Sequence, residues 1–465
     1  MENRTHSVFS SRWYLIFVLF WAALLAYLDR GIVAVLIPDI REALGISEVQ
    51  VSMIQGISFS LFFALAGLPI GWLADHHNRR NLLVIGVATW SVMTVSCGLA
   101  ETFWQLFAAR AGVGIGEAIL APAAFSMISD LFAPERRGKP MAAISMAYSI
   151  GGAGSAILAG LVMNILQGTD GVNLPIIGLT ESWRLVFIIA GAPGILAALL
   201  MITVREPVRA TSRQATSSGD GFMRFLMDHW RLFLPLYLAL VCAPLVGLVS
   251  SAWAAVILIR NFGYTAGNAG LVLGTVLLIS NLGGSFAGGA IGDWLASRSR
   301  PSGRLPLFYV GTLPAIVGGL CIASGKSSWV FLLGQALVTV TAPVLSAAAY
   351  PTLHDVMPPQ LRGRSVALHA LNMNLLGVGI GTTVVAMLTQ YVFHDERMVH
   401  RSVAVVVLFA SVVGPILMLL QRNAYQALRV RFTMDAPPAP MAHGEKCQPP
   451  PRKVDSSVPT TEQQQ

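Results

Sequence analysis

Charged side chains are scarce in this chain. Only 12% of its residues are Asp, Glu, Lys or Arg, against about 25% in an average soluble domain, while 54% are hydrophobic. That shortage excludes a water-soluble fold and places the chain in a bilayer. Cysteine is scarcer still: Cys97, Cys242, Cys321 and Cys447 stand apart without metal-ligand spacing. The first three lie in apolar stretches, where a thiol behaves as a small hydrophobe, so neither a disulfide nor a metal site is expected, and no cofactor. Also missing are a Gly-x-x-x-x-Gly-Lys-Ser nucleotide loop, a His-Glu-x-x-His helix and a Gly-x-Ser-x-Gly elbow, which excludes direct use of ATP and argues against an enzyme. Lys and Arg outnumber Asp and Glu, 31 to 23, but they are dispersed in short loops and form no aromatic-laced patch for nucleic acid. The N-terminus lacks a short apolar core followed by a small-residue cleavage site, and reads as a retained first span.

What fills the chain is long apolar runs. A helix needs roughly 20 such residues to cross about 30 Å of hydrocarbon. Runs at 13–37, 50–74, 82–100, 104–131, 139–165 and 183–204, then at 231–259, 268–294, 305–323, 328–353, 364–392 and 402–421, predict an all-α polytopic protein of about twelve transmembrane helices. The domains follow: a tail 1–12, a six-helix bundle 13–204, a polar linker 205–230 ending in an amphipathic stretch, a second bundle 231–421, and a tail 422–465. That tail, rich in Pro and Gln from 433 onward, reads as disordered. About 23 of the 31 Lys and Arg fall on the side of the termini, about 6 on the other, and Arg30 and Arg110 within spans. This asymmetry predicts that both termini are cytoplasmic, and the short loops fit a bacterial inner membrane.

The two halves echo each other. Gly71, Asp75, Arg79 and Arg80 follow span 2, and Gly289, Asp293, Arg298 and Arg300 follow span 8, six spans later. Pro134-Glu135-Arg136-Arg137-Gly138-Lys139 after span 4 is matched by Pro359-Gln360-Leu361-Arg362-Gly363-Arg364 after span 10. The pattern Gly-x-x-x-Asp-x-x-x-Arg-Arg between spans 2 and 3, with its weaker copy, resembles the signature loop of the major facilitator superfamily. Trp183-Arg184, Pro193-Gly194 and Glu206-Pro207 around span 6 fit the same family. Tyr27-Leu28-Asp29-Arg30 in span 1 and Arg110 to Ala118 in span 4 resemble its Spinster-like branch, though a neighbouring branch of organic-anion symporters shares parts of both motifs. The resemblance, over about residues 12 to 422, implies two six-helix bundles that expose a central site to each face in turn. It implies transport of a lysolipid or another amphipathic anionic or zwitterionic molecule coupled to protons, or alternatively of a small organic anion, by a monomer surrounded by membrane lipids.

A charge at mid-membrane costs at least about 3 kcal/mol by insertion scales and has to face a partner or a watery cavity. Asp29, Arg30, Arg110 and Glu117 are four such residues. Arg110 and Glu117 are seven apart, hence on one helical face. A carboxyl between apolar walls and a guanidinium changes protonation when its surroundings change, which is the chemistry of proton coupling. The resemblance assigns that role to Asp29, Arg30 and Glu117; the alternative is fixed ion pairs that set helix register. Asp75, Arg79, Arg80 and Asp293 are candidates for a cytoplasmic gate, or for topology alone. His369, Asn372 and Asn374 in span 11 are possible pocket lining, His369 fitting a satisfied structural histidine better. Thr382 stands where the family often has Pro, so a hinge in span 11 is not expected.

Overall fold

The computed structural model describes residues 12–133, 136–169, 171–174, 178–209, 219–298 and 304–434. Pro134, Glu135, Arg300 and Cys447, singled out above, lie outside them. In hydrocarbon, backbone N–H and C=O groups must pair within their own segment, so the apolar runs become helices. Among the described residues there are twelve membrane-length helices, numbered here as spans: Arg12–Leu44, Glu48–Gly67, Arg79–Gly98, Phe103–Leu131, Gly138–Ile165, Ser182–Thr203, Trp230–Phe262, Ala266–Leu295, Leu305–Ser324, Ser328–Asp355, Arg362–Phe393 and Glu396–Leu420. The helix of span 2 continues to His76. Capping hydroxyls start several of them: Thr102 accepts from the Gln105 N–H and Ser327 from the Val330 N–H.

Four features depart from the sequence reading. Arg79 and Arg80 do not lie in the loop after span 2 but open span 3, whose N-cap is Asn78. Two guanidinium groups at a helix N-terminus oppose its dipole; Glu206 compensates by accepting from the Arg80 backbone N–H at 2.8 Å. Between spans 5 and 6 a small antiparallel pair, Val172–Leu174 with Gly178–Thr180, interrupts the all-helical pattern. The chain enters it at Gly171, with φ +116, where an added Cβ would lie 2.5 Å from the Thr180 carbonyl oxygen. Spans 2 and 11 contain π-helical segments, Met53–Ile57, Met373–Ile380 and Leu388–Phe393, so span 11 is irregular without a proline. Finally, the start of the expected disordered tail is a helix, Arg422–Met434. Tyr425 explains it: the ring is buried and its hydroxyl donates to Asp355 Oδ2 at 2.8 Å, while Arg429 pairs with the same carboxylate at 3.1 Å. A tertiary anchor, invisible in composition, holds the segment.

The two halves meet along two seams of small residues. Spans 5 and 8 close where an added Cβ on Gly160 would lie 2.6 Å from the Gly267 carbonyl and one on Gly270 2.5 Å from that of Ala156. Spans 2 and 11 close at Gly56, facing Val378 and Thr382. Burial is uneven along these seams. Toward the face opposite the termini, both halves share one apolar core, from Ile32–Ile40 through Trp183 and Trp253 to Val407. Toward the terminus-bearing face that core divides into one cluster per half, Leu15–Ala26 with Trp90 and Met127, and Leu232–Ala243 with Phe308 and Leu345. A space therefore opens between the halves on the side of the termini.

Candidate functional site

Successive residues on a helix point about 100° apart, so Asp29 and Arg30 of span 1 face different neighbours. Asp29 turns to span 3, where the Thr94 hydroxyl donates to its Oδ2 at 2.7 Å. Arg30 turns to span 4 and the central space, its Nε donating to Glu117 Oε2 at 2.6 Å. Arg110 reaches back to span 1, its Nη1 3.4 Å from the Asp29 carbonyl oxygen. The structure thus brings all four intramembrane charges into one cluster and pairs Glu117 with Arg30 rather than Arg110. Asp29, Arg110 and Glu117 are at most 2% exposed. Asp29 Oδ1, Glu117 Oε1 and Arg110 Nε have no hydrogen-bond partner among the described residues, so each acid has one oxygen held and one free to carry a proton. Aromatic faces surround the Arg30 guanidinium: Phe59 at 4.6 Å, Tyr27 at 4.7 Å and Phe63 at 5.0 Å. These contacts hold the cation without neutralising it.

Span 4 is not one rod. It runs as Phe103–Glu117 and then Leu120–Leu131, with Glu117 the last residue before the break. Pro122 accounts for it, because its ring nitrogen has no hydrogen to give the Ala118 carbonyl. Glycines bring neighbouring helices onto this stretch: an added Cβ on Gly114 would sit 2.5 Å from the Phe59 carbonyl oxygen, and one on Gly116 2.9 Å from that of Gly86.

Beside the cluster lies a cavity of about 610 Å³ between the halves. On the first half it is walled by Tyr27, Arg30, Phe59, Arg110 and Tyr148, the two tyrosines stacked at 4.4 Å. The second half contributes only uncharged groups, among them Leu248, Leu277, Asn281, Ser285 and Asn374. Asn374 lines the cavity and its amide donates to the Ala370 carbonyl at 2.9 Å. Asn372 and His369 do not line it. His369 is buried edge-on against Tyr350, ring centroids 5.6 Å apart.

The expected gate residues do not bridge the halves. Arg79, 1% exposed, ties helices of the first half together: its Nε donates to Glu206 at 2.7 Å, and its Nη1 to Ser126 at 2.9 Å and to Asp130. Arg80 interacts with Asn81 and the Ile202 carbonyl. Asp75 is exposed, and its backbone carbonyl, not its carboxylate, receives Arg209. Asp293 pairs with Arg304 at 2.9 Å inside the second half. The contacts that do join the halves lie at the opposite face and involve residues the sequence did not single out. Buried Glu48 of span 2 accepts from Arg260 of span 7, and Arg41 of span 1 donates to Glu396 of span 12 while lying 3.7 Å from Glu48. Two turns deeper, the Gln55 amide donates to the Ala252 carbonyl at 2.8 Å. No local signal marks these pairs: they are ordinary charges at span ends whose partners lie 212 and 355 residues away.

Twelve spans in two halves, a cavity between them, and a charge cluster on one wall define an integral, multi-pass membrane transporter and not an enzyme. The profile described as "Major Facilitator Superfamily" matches residues 19–382, and the chain belongs to that family. It is 27% identical over 353 residues to a probable L-galactonate transporter of Escherichia coli, covering 72% of each chain. It is 23% identical to the protein spinster of Drosophila melanogaster, over 81% of this chain and 62% of that one. Among solved structures it is similar to a bacterial homologue of the human lysosomal transporter spinster in an inward-facing, unoccupied conformation, with 25% identity, a TM-score of 0.71, and coverage of 92% of this chain and 100% of the other. Within its superfamily the chain thus resembles Spinster proteins.

Proposed function

We infer that this protein is a proton-coupled secondary transporter that carries an amphipathic organic anion or zwitterion, a lysolipid being the best fit, by alternating access through the central cavity. The observation that carries this reading is the pairing of Arg30, which lines the cavity, with Glu117 buried behind it. While Glu117 is ionised it occupies Arg30. A proton on Glu117 releases the guanidinium, which then offers its positive charge to an anionic group in the cavity. Proton and anion favour each other's binding, and linkage makes that preference mutual, so the two travel together as a symport. The apolar majority of the wall and a volume of about 610 Å³ suit a tail larger than a sugar acid. One chain supplies both walls, so a monomer suffices.

The concentration of Lys and Arg at the terminus-bearing face supports the reading that this face is cytoplasmic, in a bacterial inner membrane. In this orientation the structure is closed to the outside by the Glu48–Arg260 and Arg41–Glu396 pairs and divided toward the inside. In the alternate state the cytoplasmic side closes instead, and Asp75, with its free carboxylate on that side, is the group we assign to meet the second half there.

The test is transport by purified protein in liposomes loaded with a pH-sensitive dye, offered lysolipids and sugar acids in parallel. Lysolipid-dependent proton movement that Glu117→Gln abolishes supports the reading. The asparagines and serines of the second wall favour a second candidate, a small polyhydroxylated acid. Proton movement driven by sugar acids alone would select it. Flux that ignores the pH gradient and tolerates Glu117→Gln would sink proton coupling.

A further inference from the structure

Away from the transport cavity, the ends of spans 7 and 12, the linker helix Gly219–Asp228 and the terminal helix Arg422–Met434 enclose a second hollow of about 610 Å³ at the terminus-bearing face. The geometry points to a binding site for the head group of an anionic phospholipid, held by Arg231 and Arg431.

Three observations support this. First, charge: His229, Arg231 and Arg431 line the hollow with Asp228 as its one acid, and neither arginine makes an ion pair with a described residue. The terminal helix carries Arg422, Arg429 and Arg431 and no Asp or Glu. Second, depth: Trp230 is 56% exposed at the first turn of span 7, with Arg231 5.9 Å over its ring, and an indole at a helix end marks the level of lipid head groups. Third, continuity with the hydrocarbon: below the hollow, Leu234 and Leu238 of span 7 and Ile416 and Leu420 of span 12 are exposed at four-residue spacing. They offer acyl chains an apolar track that ends at the cations. A soluble phosphate would use the arginines but gain nothing from that track. The proposal rests on the orientation given above only for which leaflet supplies the lipid, the cytoplasmic one, where anionic lipids attract basic segments.

The experiment is native mass spectrometry of the full chain titrated with phosphatidylglycerol or phosphatidylcholine, which needs no substrate and no transport and so fails independently of the functional reading. Wild type is expected to retain phosphatidylglycerol preferentially. Arg231→Gln and Arg431→Gln should each weaken it about fivefold and together roughly 25-fold, with recovery in the double Lys variant. Arg298, which stacks on Trp294 at the same face, is the control: Arg298→Gln should leave binding unchanged. Equal retention of the two lipids, an undiminished double variant, or equal loss in the Arg298 control would overturn the site. Displacement of the lipid by inorganic phosphate at equal concentration would also overturn it, in favour of a soluble ligand.

Discussion

The two halves of this transporter share a helix plan but not an interior. Arg110 lies eight residues beyond the capping hydroxyl of Thr102, and Gln335 eight beyond that of Ser327. Glu117 lies fifteen beyond the first cap; the matching residue of the second half is Ala342. Where Arg110 meets the span-1 backbone at Asp29, Gln335 accepts from the Ser250 hydroxyl of span 7 at 2.6 Å and stays neutral. Near the terminus-bearing face Arg79 is buried between Asp130 and Glu206, whereas Arg304 and Asp293 form an exposed pair. One half holds ionisable groups away from water, and its copy solves the same packing with amides and hydroxyls. The lesson is that the two halves share a scaffold while, among the described residues, the mid-membrane charges sit in the first, where Arg30 and Arg110 line the cavity.

The sharpest break of this comparison is Glu117→Gln. One pH unit is worth about 1.4 kcal/mol per proton, enough for about tenfold accumulation in a one-proton symport. We expect that ratio to fall to unity in Glu117→Gln, with substrate counterflow intact, and to survive Ala342→Ser in the matching position; accumulation assays in liposomes read both. Next in size is Arg79→Gln, which strands two carboxylates and should cost about 3 kcal/mol, against less than about 1 kcal/mol for Arg304→Gln; thermal unfolding in detergent measures the difference. Glu48→Gln removes the buried partner of Arg260. It should raise impermeant-maleimide labelling of a cysteine at Ser251, from the opposite face, about tenfold. Smallest is Gln335→Leu, which leaves the Ser250 hydroxyl without its acceptor; a loss of about 1 kcal/mol in stability and an unchanged accumulation ratio are expected.

Much of this was legible because bilayer constraints write themselves into single residues. Apolar runs mark the spans, and a charge such as Asp29 or Glu117 inside a run announces itself. The clustering of four such charges was legible to that extent, but their pairing depends on helix rotation, which sequence spacing does not set between different helices. The pairs Glu48–Arg260 and Arg41–Glu396 were illegible because charges at span ends cost little, so nothing singles them out until the halves dock. The helix Arg422–Met434 was missed because its order comes from Tyr425 meeting Asp355, seventy residues away. Likewise the motif marks Arg79 as a gate candidate or a topology signal, and its burial between Asp130 and Glu206 becomes visible only once the helices are packed.

The break in span 4 gives the first half a lever. The segment Leu120–Leu131 is about 18 Å long at 1.5 Å per residue. Its fulcrum is adjacent to Glu117, and its far end carries Ser126 and Asp130, the grips on Arg79. Pivoting such an arm by about 10° moves its tip about 3 Å, the length of a hydrogen bond. A pivot at this fulcrum therefore becomes displacement at the membrane surface, where the first half is clamped, with no need for the intervening helix to deform.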